Sequence, residues 1–351
     1  MENSKEVKVS KGNTKNIVRL YDIDILKGIG ILFVILGHIQ QNIPKWLLIY
    51  IYSFHMPLFY YISGYLYKKD YEKMSVKEYT IKRAKELLYP YLTLNFLNLV
   101  WYIIKEHSIS GILKYILSFL YSNYIFDINY VGAIWFLMSL FIVEMVYFFI
   151  KKNCNLNKTC FWICVCFIFG ICIQKLINVI GVRLPFWIDI SFFGLFFYNL
   201  GYVIKEKCNV SLNLLGKFLL LFICVALNIL GIILNYKYCN FGNFSGRIDM
   251  LYLHFGNYLW FILASISGIF TWHIISKILN RNKMLELYGK NTLVIMGVHI
   301  IFLQVITKIF KMLSLNLNEY FLGLVIFIVT AICSLLSSLV LKKYFPKFIR
   351  C

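Results

Sequence analysis

The sequence predicts an all-α polytopic membrane protein, with about ten transmembrane helices in one bundle. Three observations carry that prediction. Hydrophobic residues make up 60% of the 351-residue chain and charged residues only 15%, against about 45–50% and 25% in soluble domains. Ten apolar runs are long enough to cross a hydrocarbon layer roughly 30 Å thick. The 36 Lys and Arg are also spread unevenly: with the N-terminus in the cytoplasm, 27 fall on the inner side and nine on the outer. Basic residues gather on the cytoplasmic side of membrane proteins. The net charge of +20 therefore reads as topology, with both termini inside. No basic face interleaved with aromatics is left for nucleic acid.

The runs lie near 25–43, 46–67, 87–104, 131–150, 159–180, 186–204, 213–234, 250–276, 291–312 and 320–341. Residues 1–20 are polar and Lys-rich, without a small-residue cleavage site before a short apolar core. They read as a cytoplasmic tail, 21–345 as the transmembrane domain, and 346–351 as a second cytoplasmic tail. The 105–130 segment is amphipathic and aromatic-rich, which predicts an outward-facing interfacial or re-entrant element. Cys160, Cys164, Cys166 and Cys172 share one apolar run, where a thiol behaves as a small hydrophobe. No CxxC pair occurs, so neither a zinc site nor a disulfide framework is expected.

Polar side chains inside apolar runs are costly, and each needs a reason. In the first run, Lys27 and His38 stand eleven residues apart, three turns plus about 20°, on one helix face and about 16 Å apart along the axis. That length suits an extended pantetheine arm, with phosphates at the cation and a thioester at the imidazole. Gly28, Gly30 and Gly37 leave room for another helix or a ligand. His38 alone could be a hydrogen-bonded packing residue, but it has company. The second run carries His55 at a matching depth, followed by Pro57, which removes a helix hydrogen bond. Trp135 opens the fourth run and Glu144 lies within it. Asp189 sits at the head of the sixth, after Pro185 and Trp187, and His299 lies in the ninth. Imidazoles and carboxylates at comparable depth are acid–base equipment. His107, His254 and His273 have no such company.

At this point the motifs resemble a known family. R-x-Y-D-I-D-I-L-K-G-I-G-I-x-x-V-x-L-G-H, S-F-H-M-P-L-F-x-x-I-S-G-Y-L, R-A-K-x-L-L-x-P-Y, W-F-L and Y-G-K-N-T-L-x-x-x-x-x-H occur in that order between about residues 19 and 342. The set is similar to the acyltransferase-3 family of integral membrane acyltransferases, and to its fucose 4-O-acetylase-like branch in particular. The resemblance implies transfer of an acetyl group from cytoplasmic acetyl-CoA to a hydroxyl of a cell-surface or lipid-linked sugar, without a metal. The family's Arg-x10-His signature maps onto Lys27 and His38, with Lys in place of Arg. Lys meets phosphate as a point charge, where Arg grips it with two parallel hydrogen bonds. Arg83 and Lys85 are further candidates for the nucleotide phosphates. His38 and His55 are the expected bases, with Glu144 or Asp189 orienting a histidine. Trp135, Arg247 and His299 are the expected acceptor contacts.

A transporter or flippase for a polysaccharide precursor is the alternative reading, since it too would be basic, aromatic-rich and ten-spanning. It calls for inverted repeats, and none is visible. The abundance of Lys, Asn and Ile points to an AT-rich bacterial genome, and so to the bacterial cytoplasmic membrane.

Overall fold

A computed structural model describes residues 20–106, 109–121, 132–208, 212–240, 246–314 and 317–345. Among them every element is helical except one isolated antiparallel bridge, Asp249–His254. The helices are α1 (Tyr21–Ile39), α2 (Lys45–Tyr65), α3 (Val76–Arg83) and α4 (Tyr89–Glu106). Then come α5 (Ile109–Tyr121), α6 (Trp135–Asn153), α7 (Leu156–Ile180) and α8 (Ile188–Lys207). The chain ends with α9 (Leu214–Cys239), α10 (Tyr258–Leu279), α11 (Lys283–Met312) and α12 (Glu319–Tyr344). The second half of the predicted 105–130 element lies outside the described residues, as does His107. Its first half is the amphipathic helix α5, which folds back on α4.

Among the described residues, seven spans are long and apolar enough to cross a membrane: α3 running into α4, and α7 through α12. The chain is thus an all-α polytopic membrane protein. Helices α1, α2 and α6 occupy three more of the expected runs but fall outside the seven. Twelve of the 19 residues of α1 and 13 of the 21 of α2 are buried. These helices meet protein instead of lipid, so they can carry His38 and His55. At the periphery the opposite holds. Only 22% of the apolar window of α7 and of α9 is buried, against 61% in α8, and their exposed Leu, Ile and Phe side chains form a lipid-facing surface.

Two helix pairs pack almost backbone to backbone. A Cβ on Gly28 would lie 2.1 Å from the Leu285 carbonyl oxygen, and one on Gly289 would lie 1.9 Å from that of Asp24. The contact is reciprocal, which makes α1 and α11 parallel with Gly28 level with Gly289. Gly64 and Gly201 do the same for α2 and α8, against the carbonyls of Tyr198 and Tyr61. Small residues permit such approach, and van der Waals contact and lipid release stabilise it. Gly28, Gly30 and Gly37 all face neighbouring helices. At the start of α3, Ser75 caps the helix in a reciprocal capping box with Glu78. A π-helical turn over Ala84–Leu88 then joins α3 to α4.

Candidate functional site

The parallel register of α1 and α11 carries a second consequence ten residues further on. His38 is ten residues past Gly28 and His299 ten past Gly289, so both rings arrive at one level. Their centroids lie 5.0 Å apart at an interplanar angle of 73°. His55 comes to the same region from α2, edge-on to Tyr52 with centroids 4.8 Å apart.

All three imidazoles are held alike. His38 Nδ1 is 2.7 Å from the Val34 carbonyl, His55 Nδ1 2.9 Å from that of Ile51, and His299 Nδ1 3.0 Å from that of Ile295. A carbonyl can only accept, so Nδ1–H is the donor in each case and the neutral ring keeps its lone pair on Nε2. The i−4 carbonyl therefore fixes the tautomer, a task often given to a carboxylate.

His38 and His55 line a cavity of about 490 Å³. Gln40, Tyr52, Trp135, Arg247, Asp249, Tyr252 and Gln304 supply its other polar and aromatic groups. Arg247 lies over the face of Tyr52, 4.6 Å from the ring centroid, and its Nη2 is 3.3 Å from Asp249 Oδ2. Its Nε is buried without a hydrogen-bond partner among the described residues. Residues 246–257 connect α9 to α10 outside the spanning helices and form one wall. Three clamps hold that wall: Arg183 Nη1 donates to the Leu251 carbonyl at 2.8 Å, Gln174 Nε2 to that of Leu253 at 2.5 Å, and Asn235 Nδ2 to that of Phe255 at 2.9 Å. Burial pushes the Asp249 carboxyl up to about 6, opposed by Arg247 and by the backbone N–H groups of Leu251 and Tyr252. Burial also lowers the His254 imidazole.

The other expected residues go elsewhere. His299 is fully buried and stands behind His38, not in the cavity wall. The structure brings neither carboxylate to a histidine. Asp189 lies 2.7 Å from Arg183 Nε, so it braces the arginine that clamps Leu251. Glu144 lies 2.8 Å from Arg83 Nε, and Arg83 Nη1 reaches Glu86 at 2.5 Å. Arg83 also lies 4.8 Å above the Tyr71 ring, so it is enclosed by protein. Lys85 is exposed on the π turn. Lys27 sits near the other end of α1, 3.9 Å from Asp24. It does not line the cavity that holds His38, and the single passage expected from Lys27 to His38 is not part of that cavity. Trp135 does line it, with Trp187 behind at 5.9 Å between centroids.

Sequence reasoning missed Gln40, Tyr52, Asp249, Tyr252 and Gln304. An Arg-x-Asp pair between two apolar runs was the available signal for Asp249. The matched ten-residue Gly-to-His interval was the signal for the imidazole pair.

The family model described as an acyltransferase domain matches residues 20–342. The nodulation protein NolL of Mesorhizobium japonicum is 31% identical over 149 residues, covering 40% of this chain and 37% of that protein. The chain thus spans well under half the length of that relative. No solved structure matches.

Proposed function

This chain belongs to the acyltransferase-3 family, and from that premise we propose that it moves an acetyl group from cytoplasmic acetyl-CoA to a hydroxyl of a cell-surface or lipid-linked sugar. The reading places it with the fucose 4-O-acetylase-like branch, in the bacterial cytoplasmic membrane, with both termini inside. The transmembrane domain would run over 21–345.

One observation supports it most: two tautomer-fixed imidazoles and one guanidinium face a single cavity large enough for a sugar. Either imidazole Nε2 can take the proton of an acceptor hydroxyl. We assign that role to His38, with His55 beside it. As the proton moves to Nε2, the hydroxyl oxygen attacks the thioester carbonyl carbon. Negative charge gathers on the carbonyl oxygen, where Arg247, lining the same cavity as His38, supplies a cation. The C–S bond then breaks, and the thiolate takes the proton from the imidazolium. The balance is one ester and one free thiol. Trp135 offers the sugar an apolar face. Lys27 and the exposed Lys85 stand at the basic end of the molecule, where the nucleotide phosphates would bind.

The test is acetyl transfer by purified protein in detergent micelles, with labelled acetyl-CoA and a panel of sugar acceptors. Labelled ester and free CoA should form in equal amounts, and His38→Ala should stop both while the protein stays folded. Wild-type turnover in His38→Ala would remove the imidazole from the chemistry. With the same protein reconstituted in sealed vesicles, label crossing the bilayer without ester formation would make the protein a transporter.

A further inference from the structure

We infer that His299 is a positioning residue that supports the charged form of His38, so that the base works as an imidazole pair and not as a histidine–carboxylate dyad. The inference rests on the function proposed above and names what serves that base.

Carboxylates are the ordinary partners of a catalytic histidine, and here they are committed elsewhere. Glu144 is held by Arg83, Asp189 by Arg183, and Asp249 by Arg247 and the Leu251 N–H. The group packed on His38 is instead His299. It is 0% exposed, and among the described residues its Nε2 has no hydrogen-bond partner. Its Nδ1–H is spent on Ile295, so that orphan atom is a lone pair. A buried acceptor without a donor is costly to leave unmade. It is compensated when positive charge forms beside it, and the nearest place for such charge is His38, 5.0 Å away between ring centroids. When His38 Nε2 takes the acceptor proton, the new imidazolium faces an electron-rich neutral ring. When the thiolate reclaims that proton, the pair returns to neutral. The proton never resides on His299.

The spacing is also enforced. Gly28 and Gly289 lock α1 and α11 backbone to backbone, and ten residues on, the same register sets the distance between the two rings. His299 does not line the cavity, so it acts through His38 and not on the substrate.

Three variants test this in micelles. His299→Phe keeps a ring but removes the lone pair, and His299→Gln returns an acceptor near the Nε2 position. Gly289→Ala wedges the two helices apart. We expect kcat to fall roughly tenfold or more in His299→Phe, at least about 1.4 kcal/mol of transition-state stabilisation. Both KM values should stay within about twofold, as expected for an interaction made only in the transition state. His299→Gln should recover part of kcat, and Gly289→Ala should behave as His299→Phe does. An unchanged kcat in His299→Phe, or a KM effect alone, overturns the inference.

A second readout needs no acceptor. The carbethoxylation of His38 by diethylpyrocarbonate, followed by mass spectrometry, also builds positive charge on the attacking ring. It should slow several-fold in His299→Phe and recover in His299→Gln. An equal rate overturns the imidazole pair even if no acetyl transfer is found. Absence of transfer with a slowed modification rate overturns the proposed function and leaves the pair standing.

Discussion

Two arginine–carboxylate centres sit in different parts of this molecule, and they are built differently. Arg83 touches Glu144, Glu86 and the faces of Tyr71 and Tyr79. Helix, π turn and neighbouring span close over it. Arg247 has one carboxylate, Asp249, and one ring, Tyr52, and it faces a cavity shared with His38 and His55. A guanidinium with every direction filled holds helices together. One with directions to spare can meet a ligand. The two look alike in sequence, as a cation near the end of an apolar run. What distinguishes them is how much of each charge the protein has already used.

That contrast predicts different losses. The largest belongs to the enclosed centre: Glu144→Leu leaves Arg83 buried without its main partner and should cost about 3–5 kcal/mol of stability. Thermal unfolding in detergent would show it, and adding Arg83→Met should restore most of the loss. A stable Glu144→Leu protein with weakened acetyl-CoA binding would reverse the assignment and make this centre a ligand site. Next is Arg247→Met, where we expect kcat/KM to fall about a hundredfold, roughly 2.7 kcal/mol, with a smaller fall in melting temperature than for Glu144→Leu, because Asp249 keeps the Leu251 N–H. Arg247→Lys should recover only part, because an ammonium lacks the planar fork.

The smallest effect is a pH dependence at Asp249. Its folded value near 6 stands above the unfolded value of about 3.9. Its contribution to folding is therefore complete below about pH 4 and lost as pH rises through 6. Asp249→Asn removes that dependence. The variant's stability relative to the parent should accordingly improve between pH 4 and 7, by about 1–3 kcal/mol. A difference that is flat with pH would mean that the carboxyl is already ionised at pH 4.

Much of the fold was legible because lipid imposes a simple rule. A backbone in hydrocarbon must satisfy its own hydrogen bonds, so a long apolar run is a helix, and every expected run contains one. The sequence also marked His38, His55 and Trp135, since polar or amphipathic groups in such runs are rare, and the family resemblance marked Arg247 between two runs; the cavity gathers these four. It could not say that Glu144 and Asp189 serve arginines. Those pairs join residues far apart in the chain or across a turn whose shape depends on the left-handed backbone at Phe186 and Trp187. Nor could it say that 246–257 folds inward as a wall. That placement is made by Gln174 and Asn235 reaching in from two different helices and Arg183 from the turn after α7, and no local pattern encodes them.

By itself, then, the amino-acid order determined which stretches become helices, which of them tolerate polar groups, and which end of the molecule is basic. Those outcomes follow from transfer free energies and backbone hydrogen bonding, which act residue by residue. Tertiary structure alone decided which imidazoles share a cavity and which arginine is spent. It also decided that His299 stands behind His38. These depend on helix register, and register is set where two glycines let backbones touch, a contact that exists only between helices already packed.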